Sequence, residues 1–446
     1  MVWDRSIRAI AQELGQAVES GREVSGFRFD SRQVEPGELF FALGGKRRDG
    51  HEFLEEVKAR GAVGAVVSRS YRGPDWGLEL IRVDDVKEAL QSLARQKLAA
   101  QRPIVVGVTG SVGKTTTKDF IAALLEAKYR VGKTEGSYNS QLSLPITLLN
   151  FRGDEEVLVL EMGMSQPGEI GRLVSIAPPD IGVLTKVALA HVEAFADGIL
   201  GIAREKGTIF SHSRTRHAIF DHRFHEYPEQ IAAIAGHKIS FSLEAREADY
   251  LLSPEEGWVD ERGVRAYQFH LPFRELHIQH NFIAAAAVAR LLKLEWDEIN
   301  RQLPLMKTPR MRFEQFERAG VLLINDAYNA NPESMKAALR SFPEPKAGGK
   351  RIAVLGTMVE LGALSRSEHE EVGRLAQQRV DCLLTYGDEA RVLSTAFGES
   401  KKQAEHFENR EELTRRLKEL MRPGDVVLVK ASRAMQLESI FAALEE

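Results

Sequence analysis

The run Gly107-Val108-Thr109-Gly110-Ser111-Val112-Gly113-Lys114-Thr115-Thr116-Thr117 constrains this chain more than any other segment. It follows the apolar stretch Ile104 to Val108 and leads into an amphipathic one, so it reads as strand, phosphate loop, helix. Glycines at 107, 110 and 113 let the backbone curl until consecutive N–H groups face an anion. Lys114 adds a point charge, and the Thr115 hydroxyl suits Mg²⁺. The implied ligand is a nucleoside triphosphate with magnesium. A glycine-rich turn alone would not say this; Gly-x-x-Gly-Lys-Thr-Thr between a strand and a helix does.

The 446 residues are too many for one ordinary core and suggest two to three domains. Sixty Lys and Arg against 64 Asp and Glu leave a formal net charge of −4, with no basic cluster interleaved with aromatics, which argues against a nucleic-acid partner. The single cysteine, Cys382, lies in an apolar run and reads as a packed core residue in a reducing compartment. Met1-Val2-Trp3-Asp4-Arg5 carries charges where a signal peptide is apolar, and no run reaches the ~18 apolar residues of a membrane helix. A cytoplasmic protein without membrane insertion is expected.

Ile7 to about Ala100 reads as a small mixed α/β unit, with strand-like pieces at Leu39 to Leu43, Ala62 to Val67 and Leu78 to Val83 and a helix from Val86 to Leu98. Ala99 to Pro103 reads as a boundary. Strands and helices then alternate through Ile104 to Val108, Lys114 to Ala127, Val157 to Glu161, Ile181 to Thr185 and the alanine-rich Phe282 to Leu292, the pattern of a parallel sheet that gathers ligands at its carboxyl end. Residues 211–280 loosen into short pieces, among them Glu244 to Tyr250 and Gly257 to His270, expected as a β-rich excursion. After a boundary near Pro304 to Pro309, apolar runs at Val321 to Asp326, Arg351 to Gly356, Cys382 to Gly387 and Val426 to Lys430 read as buried parallel strands.

Two further residues join the phosphate loop if their strands neighbour it. Glu161 ends an apolar strand and His191 follows another, so both could converge on the triphosphate as metal ligands. Singly, Glu161 reads as a solvated strand end and His191 as a cap or core histidine. Lys206 reads by spacing as an exposed helix lysine, and Asn281 as a helix N-cap. Asp326-Ala327-Tyr328-Asn329-Ala330-Asn331-Pro332 puts an aspartate at a strand end, then a polar turn before a helix opening with Glu333-Ser334-Met335.

Taken together, the loop at Thr109 to Thr116, Glu161-Met162-Gly163, Ala190-His191-Val192-Glu193, Lys206 with Ile209-Phe210, His280-Asn281 and Tyr328-Asn329-Ala330-Asn331-Pro332 resemble the Mur ligases, ATP-dependent amide-forming enzymes of peptidoglycan synthesis. The resemblance spans essentially the whole chain. Asp30-Ser31-Arg32, Pro36 to Leu43 and Asp49-Gly50-His51 are most similar to the members that join D-alanyl-D-alanine to a UDP-muramoyl tripeptide. It implies an α/β protein of three domains: an N-terminal UDP-substrate-binding domain at 1–100, a central P-loop ATPase with a parallel sheet at 101–309, and a C-terminal Rossmann-like domain at 310–446.

By the same resemblance, Gly110, Ser111, Val112, Gly113, Lys114, Thr115 and Thr116 hold ATP phosphates, and Asn281, Arg312, Asp326, Tyr328 and Asn329 frame its adenine and ribose. Thr115, Glu161, His191 and Lys206 ligate two Mg²⁺ ions, Lys206 as a carbamate. Lys114, His191 and Lys206 serve catalysis, while Ser31, Arg32, Asp49, Gly50, His51 and Asn139 hold the muramoyl substrate. A monomer is expected.

The chain departs from the family pattern at Lys186 (usually asparagine), at Ala188 to Ala190 (usually with glycine-proline), at Asn325 (usually aspartate) and at Ala431 (usually glycine). Rival readings are a ligase adding a single residue such as lysine or diaminopimelate, a folylpolyglutamate synthase, and a non-catalytic ATP-binding regulator. The first usually carries an Asp-Asn-Pro-Arg type motif, absent here; the second lacks the N-terminal domain; the third has no need for Glu161, His191 and Lys206 together.

Overall fold

The structure, a computed structural model, describes residues 3–45, 48–346, 348–398 and 402–444, so Met1 and Val2 of the N-terminal reading lie outside it. Three sheets, each with helices packed on it, divide the chain. In the first, β1 (Phe27–Arg28), β2 (Leu39–Phe41), β3 (Gly64–Ser68) and β4 (Glu79–Val83) lie side by side in chain order, all parallel. The helix Val86–Gln101 follows, with Asp85 as its N-cap, its side chain accepting from the N–H groups of Lys87 and Glu88.

The middle sheet contains β5 (Ile104–Thr109), β6 (Val131–Lys133), β7 (Val157–Glu161), β8 (Ile181–Leu184), β9 (His217–Asp221), β10 (His237–Ser242), β11 (Tyr250–Leu252), β12 (Trp258–Glu261) and β13 (Val264–Gln268). Their order is β13-β12-β11-β10-β9-β8-β5-β7-β6. β5, β7 and β8 are buried throughout apart from Ile104, as strands covered on both faces must be, and the unbroken apolar runs follow from that. Residues 211–280 are therefore not an excursion. β9 to β11 continue the same parallel sheet, and β12 and β13 close its edge as an antiparallel hairpin whose outer strand is largely exposed, which is why its pattern is weak.

The alanine-rich helix starts at Leu276, six residues before the apolar run suggested, and extends to Leu291. Ala284 to Ala287 and Ala289 are fully buried. Small side chains there let it approach the helix Lys114–Leu125 closely and share one core with it.

The third sheet runs β14 (Glu314–Arg318), β15 (Val321–Asn325), β19 (Val426–Lys430), β16 (Arg351–Gly356), β17 (Cys382–Tyr386) and β18 (Gln403–Phe407), parallel except for the exposed edge strand β14, which the sequence did not reveal. Cys382 is buried, and that burial pushes its thiol up to about 11.

The helix Ser143–Asn150 joins the first two sheets. The Asn150 side chain accepts from the N–H of Phe27 at 2.9 Å and donates to its carbonyl at 3.0 Å. Arg5 and the buried Lys97 both donate to the carbonyls of Leu149 and Phe151, placing two basic side chains on the negative end of the helix dipole. Among the described residues no helix is long and apolar enough to cross a membrane.

Candidate active site

The phosphate loop is clamped at its base. Ser111 N–H donates to the carbonyl of Lys186 at 2.7 Å, Ser111 Oγ to that of Ala188 at 2.7 Å, and Thr185 Oγ1 to that of Val112 at 2.5 Å. Gly113 has φ +84°, and Asn281 Oδ1 occupies the place a β-carbon would take, so only glycine fits. Asn281 is thus not an N-cap: it is buried in the second turn of its helix, against the loop. Lys114 Nζ folds across the loop to the carbonyl of Gly110 at 2.8 Å. Burial lowers its pKa; Glu161 opposes that and Arg312 adds to it.

Because β7 pairs with β5, Glu161 stands opposite Val108 beside the loop. Rather than a solvated strand end, it is 1% exposed. Thr115 Oγ1 donates to Glu161 Oε2 at 2.7 Å and Asn139 Nδ2 to Oε1 at 2.8 Å, while the Glu161 N–H donates to Thr134 Oγ1 at 3.0 Å. Lys118, fully buried one turn along the helix, donates to the carbonyls of Thr134 at 2.7 Å and Gly136 at 2.9 Å and fixes the loop that delivers Asn139. From the C-terminal side Arg312 Nη2 donates to Thr115 Oγ1 at 2.9 Å, its guanidinium 4.1 Å from the ring centroid of Tyr328.

Lys206 departs from the exposed position its spacing suggests. It lies in the helix Ile199–Gly207 and is 2% exposed. Burial, reinforced by Lys114 and opposed by Glu205, holds its pKa well below the ordinary lysine range. No hydrogen bond among the described residues engages its amine. Glu205, next to it, accepts from the N–H groups of Gly168 and Ile170, both at 2.8 Å, which secures this helix to its neighbour. His191 has φ +57°, and its Nδ1 is hydrogen-bonded to Glu360 Oε2 of the C-terminal unit. Its pKa is lowered by burial, against the pull of Glu360 and with Lys114 and Lys206 adding to the fall.

These groups surround a cleft of about 580 Å³ between the middle and C-terminal sheets, a volume suited to a small-molecule ligand. Ser111, Val112, Gly113, Lys114 and Thr116 line one wall, with Asn139, Glu161, His191 and Asn281. Arg312, Asp326, Tyr328 and Asn329 line the other. Asp326 pairs with Lys430 at 2.7 Å and accepts from the N–H of Phe313 at 3.1 Å. Tyr328 OH is hydrogen-bonded to Ser137 Oγ, and Lys186 pairs with Glu333 at 2.5 Å, both across the cleft. Thr115 and Lys206 sit just behind these walls. The N-cap of the helix Pro332–Arg340 is Asn331, with Ser334 completing a capping box.

The N-terminal candidates lie elsewhere. Asp49 and His51 pair at 2.6 Å, His51 Nε2 accepts from the N–H of Ser68 at 2.9 Å, and the ring stacks 5.2 Å from Tyr71. With Arg72, Lys87 and Leu142 they line a second cavity of about 840 Å³. Gly50 has the backbone of Leu43 and Ala42 where a β-carbon would stand. Ser31 is buried against Glu56 and Arg32 is paired with Asp30 at 2.7 Å; neither lines either cavity.

Among the described residues no group of three or more His, Cys, Asp or Glu side chains forms a ready-made metal cage. Mg²⁺ is commonly held by one or two carboxylates, with waters and substrate phosphates completing its octahedron. Glu161 and Thr115 offer such a donor pair. Lys206 as an ammonium has no lone pair to give; as a carbamate it would offer the oxygen donors that Mg²⁺ takes.

Family models described as Mur ligase middle domain, Mur ligase glutamate ligase domain and Mur ligase family catalytic domain match residues 108–289, 311–433 and 23–98. A UDP-N-acetylmuramoyl-tripeptide--D-alanyl-D-alanine ligase of Bacillus subtilis is 34% identical, the match covering 95% of this chain and 93% of that one. The chain belongs to the Mur ligase family. The Escherichia coli ligase of the same name is 33% identical over 94% of this chain and 93% of its own. Among solved structures, MurF from Acinetobacter baumannii superposes with a TM-score of 0.86 at 28% identity, covering 100% and 99% of the two chains. MurF from Thermotoga maritima, solved in complex with ADP, gives 0.78 at 32% identity over 94% and 97%.

In this Mur ligase, sequence reasoning missed the side chains that reach across the cleft: Lys186, Glu333, Glu360 and Ser137. Glu360 had a readable signal, a charge just beyond a buried strand in Thr357-Met358-Val359-Glu360-Leu361-Gly362, the same signature that singled out Glu161-Met162-Gly163. Lys186 had the same one, two residues beyond the buried strand β8; Glu333 had none, since it is an ordinary residue in the first turn of a helix until the two sheets face one another.

Proposed function

We propose that the chain is an ATP-dependent ligase that joins D-alanyl-D-alanine to UDP-N-acetylmuramoyl tripeptide in peptidoglycan precursor synthesis, working as three domains at 1–100, 101–309 and 310–446. The observation that carries this reading is the meeting of Lys114, Thr115 and Glu161 with Arg312 and Tyr328 in one cleft, in a chain similar over nearly its whole length to ligases of that name.

A carboxylate does not condense with an amine in water until one of its oxygens becomes a leaving group. The terminal carboxylate of the tripeptide attacks the γ-phosphorus of ATP, giving an acyl phosphate and ADP. The dipeptide amine then attacks the acyl carbon, loses its proton, and expels phosphate as the amide forms. Lys114 and the loop N–H groups draw charge from the phosphates, and Arg312 adds a cation from the second domain. Asn281 and the side chains of Asp326, Tyr328 and Asn329 hold the nucleoside. Mg²⁺, when bound, screens the anions from one another so that carboxylate and phosphate can approach. Thr115 and Glu161 would hold one ion, His191 and a carbamylated Lys206 a second. Deep burial, a lowered pKa and an amine with no hydrogen-bond partner among the described residues favour the neutral form of Lys206 that reacts with carbon dioxide. Asp49, Gly50 and His51 would take the UDP end, Ser31 and Arg32 being assigned to it by the family resemblance alone, and Asn139 would act nearer the phosphates. Parts of the ATP site come from different domains, so closure accompanies turnover.

Phosphate release measured over a panel of UDP-muramoyl peptides and amine acceptors tests this, with Lys114→Ala beside the wild type. Release should require both tripeptide and D-alanyl-D-alanine and collapse in the variant. Release without acceptor, or at the normal rate in the variant, overturns the scheme.

A further inference from the structure

Two loops from different domains meet at His191. Besides the bond between His191 Nδ1 and Glu360 Oε2, the Glu193 N–H approaches the carbonyl of Glu360 at 3.5 Å, and a methyl on Gly362 would stand 3.1 Å from Cβ of Glu193. Both bonded partners are left-handed, with φ +57° at His191 and +65° at Glu360. Non-glycine residues keep such a conformation only where their surroundings impose it, and these sites cluster where function needs a fixed direction. The surroundings of Glu360 do impose it: the Val359 N–H donates to Ser432 Oγ at 3.0 Å, the Met358 N–H to His369 Nε2 at 3.0 Å, and Leu361 is buried. The carboxylate is held out from the C-terminal sheet toward the histidine. An ordinary partly exposed ion pair contributes too little to explain strain on both sides.

We propose that Glu360 is a positioning residue that fixes the tautomer and direction of the His191 ring, making Nε2 the ligating atom, and that it does so only when the C-terminal domain is closed onto the middle one. This rests on the reading of His191 as a metal ligand. An ionised carboxylate can only accept, so Nδ1 carries the ring proton and Nε2 keeps its lone pair. At the His191 ring the negative charge of Glu360 also opposes the positive charge of Lys114. Because histidine and carboxylate stand on separate domains, the second ion finds its ligand complete only in the closed enzyme.

The test uses the full chain as Glu360→Ala and Glu360→Gln, with His191→Ala as reference. Mn²⁺ binding in the presence of ADP, followed by electron paramagnetic resonance, should show two sites in the wild type and one in His191→Ala. In Glu360→Ala that same site should weaken about 10–100-fold. With ¹⁵N-histidine labelling, the resonance missing from His191→Ala should report an Nδ1–H tautomer in the wild type and lose that preference in Glu360→Ala. Turnover should fall while KM for ATP stays within about threefold, a split that general loosening would not produce. Glu360→Gln, which keeps an acceptor oxygen, should lie between. If His191→Ala binds as many Mn²⁺ ions as the wild type, the metal reading itself fails and takes the proposal with it. If His191→Ala loses a site while both Glu360 variants keep wild-type Mn²⁺ affinity and tautomer, this proposal alone is overturned.

Discussion

Thr115→Val is a sharp perturbation of the site because valine matches threonine in shape and removes one hydroxyl. That hydroxyl donates to Glu161 Oε2 at 2.7 Å and accepts from Arg312 Nη2 at 2.9 Å. Hydrogen bonds to charged partners contribute ~1.5–3 kcal/mol each, so the gross loss is about 3–6 kcal/mol. Much of it is recovered. Glu161 keeps Asn139 on its other oxygen, Arg312 keeps the face of Tyr328, and the two freed charges can pair directly. A net destabilisation of roughly 1–3 kcal/mol is expected, a drop of several degrees in the melting midpoint of a domain this size. The catalytic effect should be larger, because a methyl replaces the hydroxyl proposed to ligate the metal and no rearrangement restores it. Losing one such electrostatic contact costs about 10²–10³ in turnover. ADP release with tripeptide and dipeptide, titrated with Mg²⁺, should show a lowered maximum and a rightward shift in Thr115→Val, and near-normal behaviour in Thr115→Ser. A valine variant with wild-type magnesium dependence and turnover would refute the assignment of the Thr115–Glu161 pair to the metal.

Asn150→Ala should cost ~2–4 kcal/mol by leaving both main-chain groups of Phe27 without partners, and should speed hydrogen exchange at the Phe27 amide; unchanged exchange there would contradict the docking described. Burial, reinforced by Arg5 and opposed by Glu155, pushes Lys97 down to about 7. Unfolded lysine holds its proton to about pH 10, so the unfolded state binds more protons between these values; stability rises with pH across the window and is lost as pH falls through about 7. Lys97→Met should flatten that rise in melting temperature. Lys186→Met should leave the fold intact but remove the 2.5 Å pair with Glu333, and small-angle scattering should report a more open average arrangement of the C-terminal domain.

How much of this was legible in the sequence follows from which forces are local. Phosphate loop, buried strands and capped helices are written in neighbouring residues, and β5, β7 and β8 fell where their apolar runs lie. Exposed edge strands such as β13 and β14 carry no such run, so the first was read loosely and the second missed. Lys206 marks a different limit. A lysine at helical spacing looks solvated, and only the packing of distant segments buries it; the family resemblance, not its spacing, singled it out. The contacts across the cleft lie beyond both kinds of signal, because they exist only once two separately folded sheets face each other.

The attachment of Asn150 to Phe27 has a consequence for the solubility of the N-terminal unit. β1 is the outermost strand of its sheet, and an open rim offers a template on which other chains can stack, a hazard that its length of two residues limits but does not remove. A single amide from the adjoining domain plugs it. Cut away from residues 143–150, this unit would show a bare rim, and we expect it to self-associate more readily than it does within the intact chain.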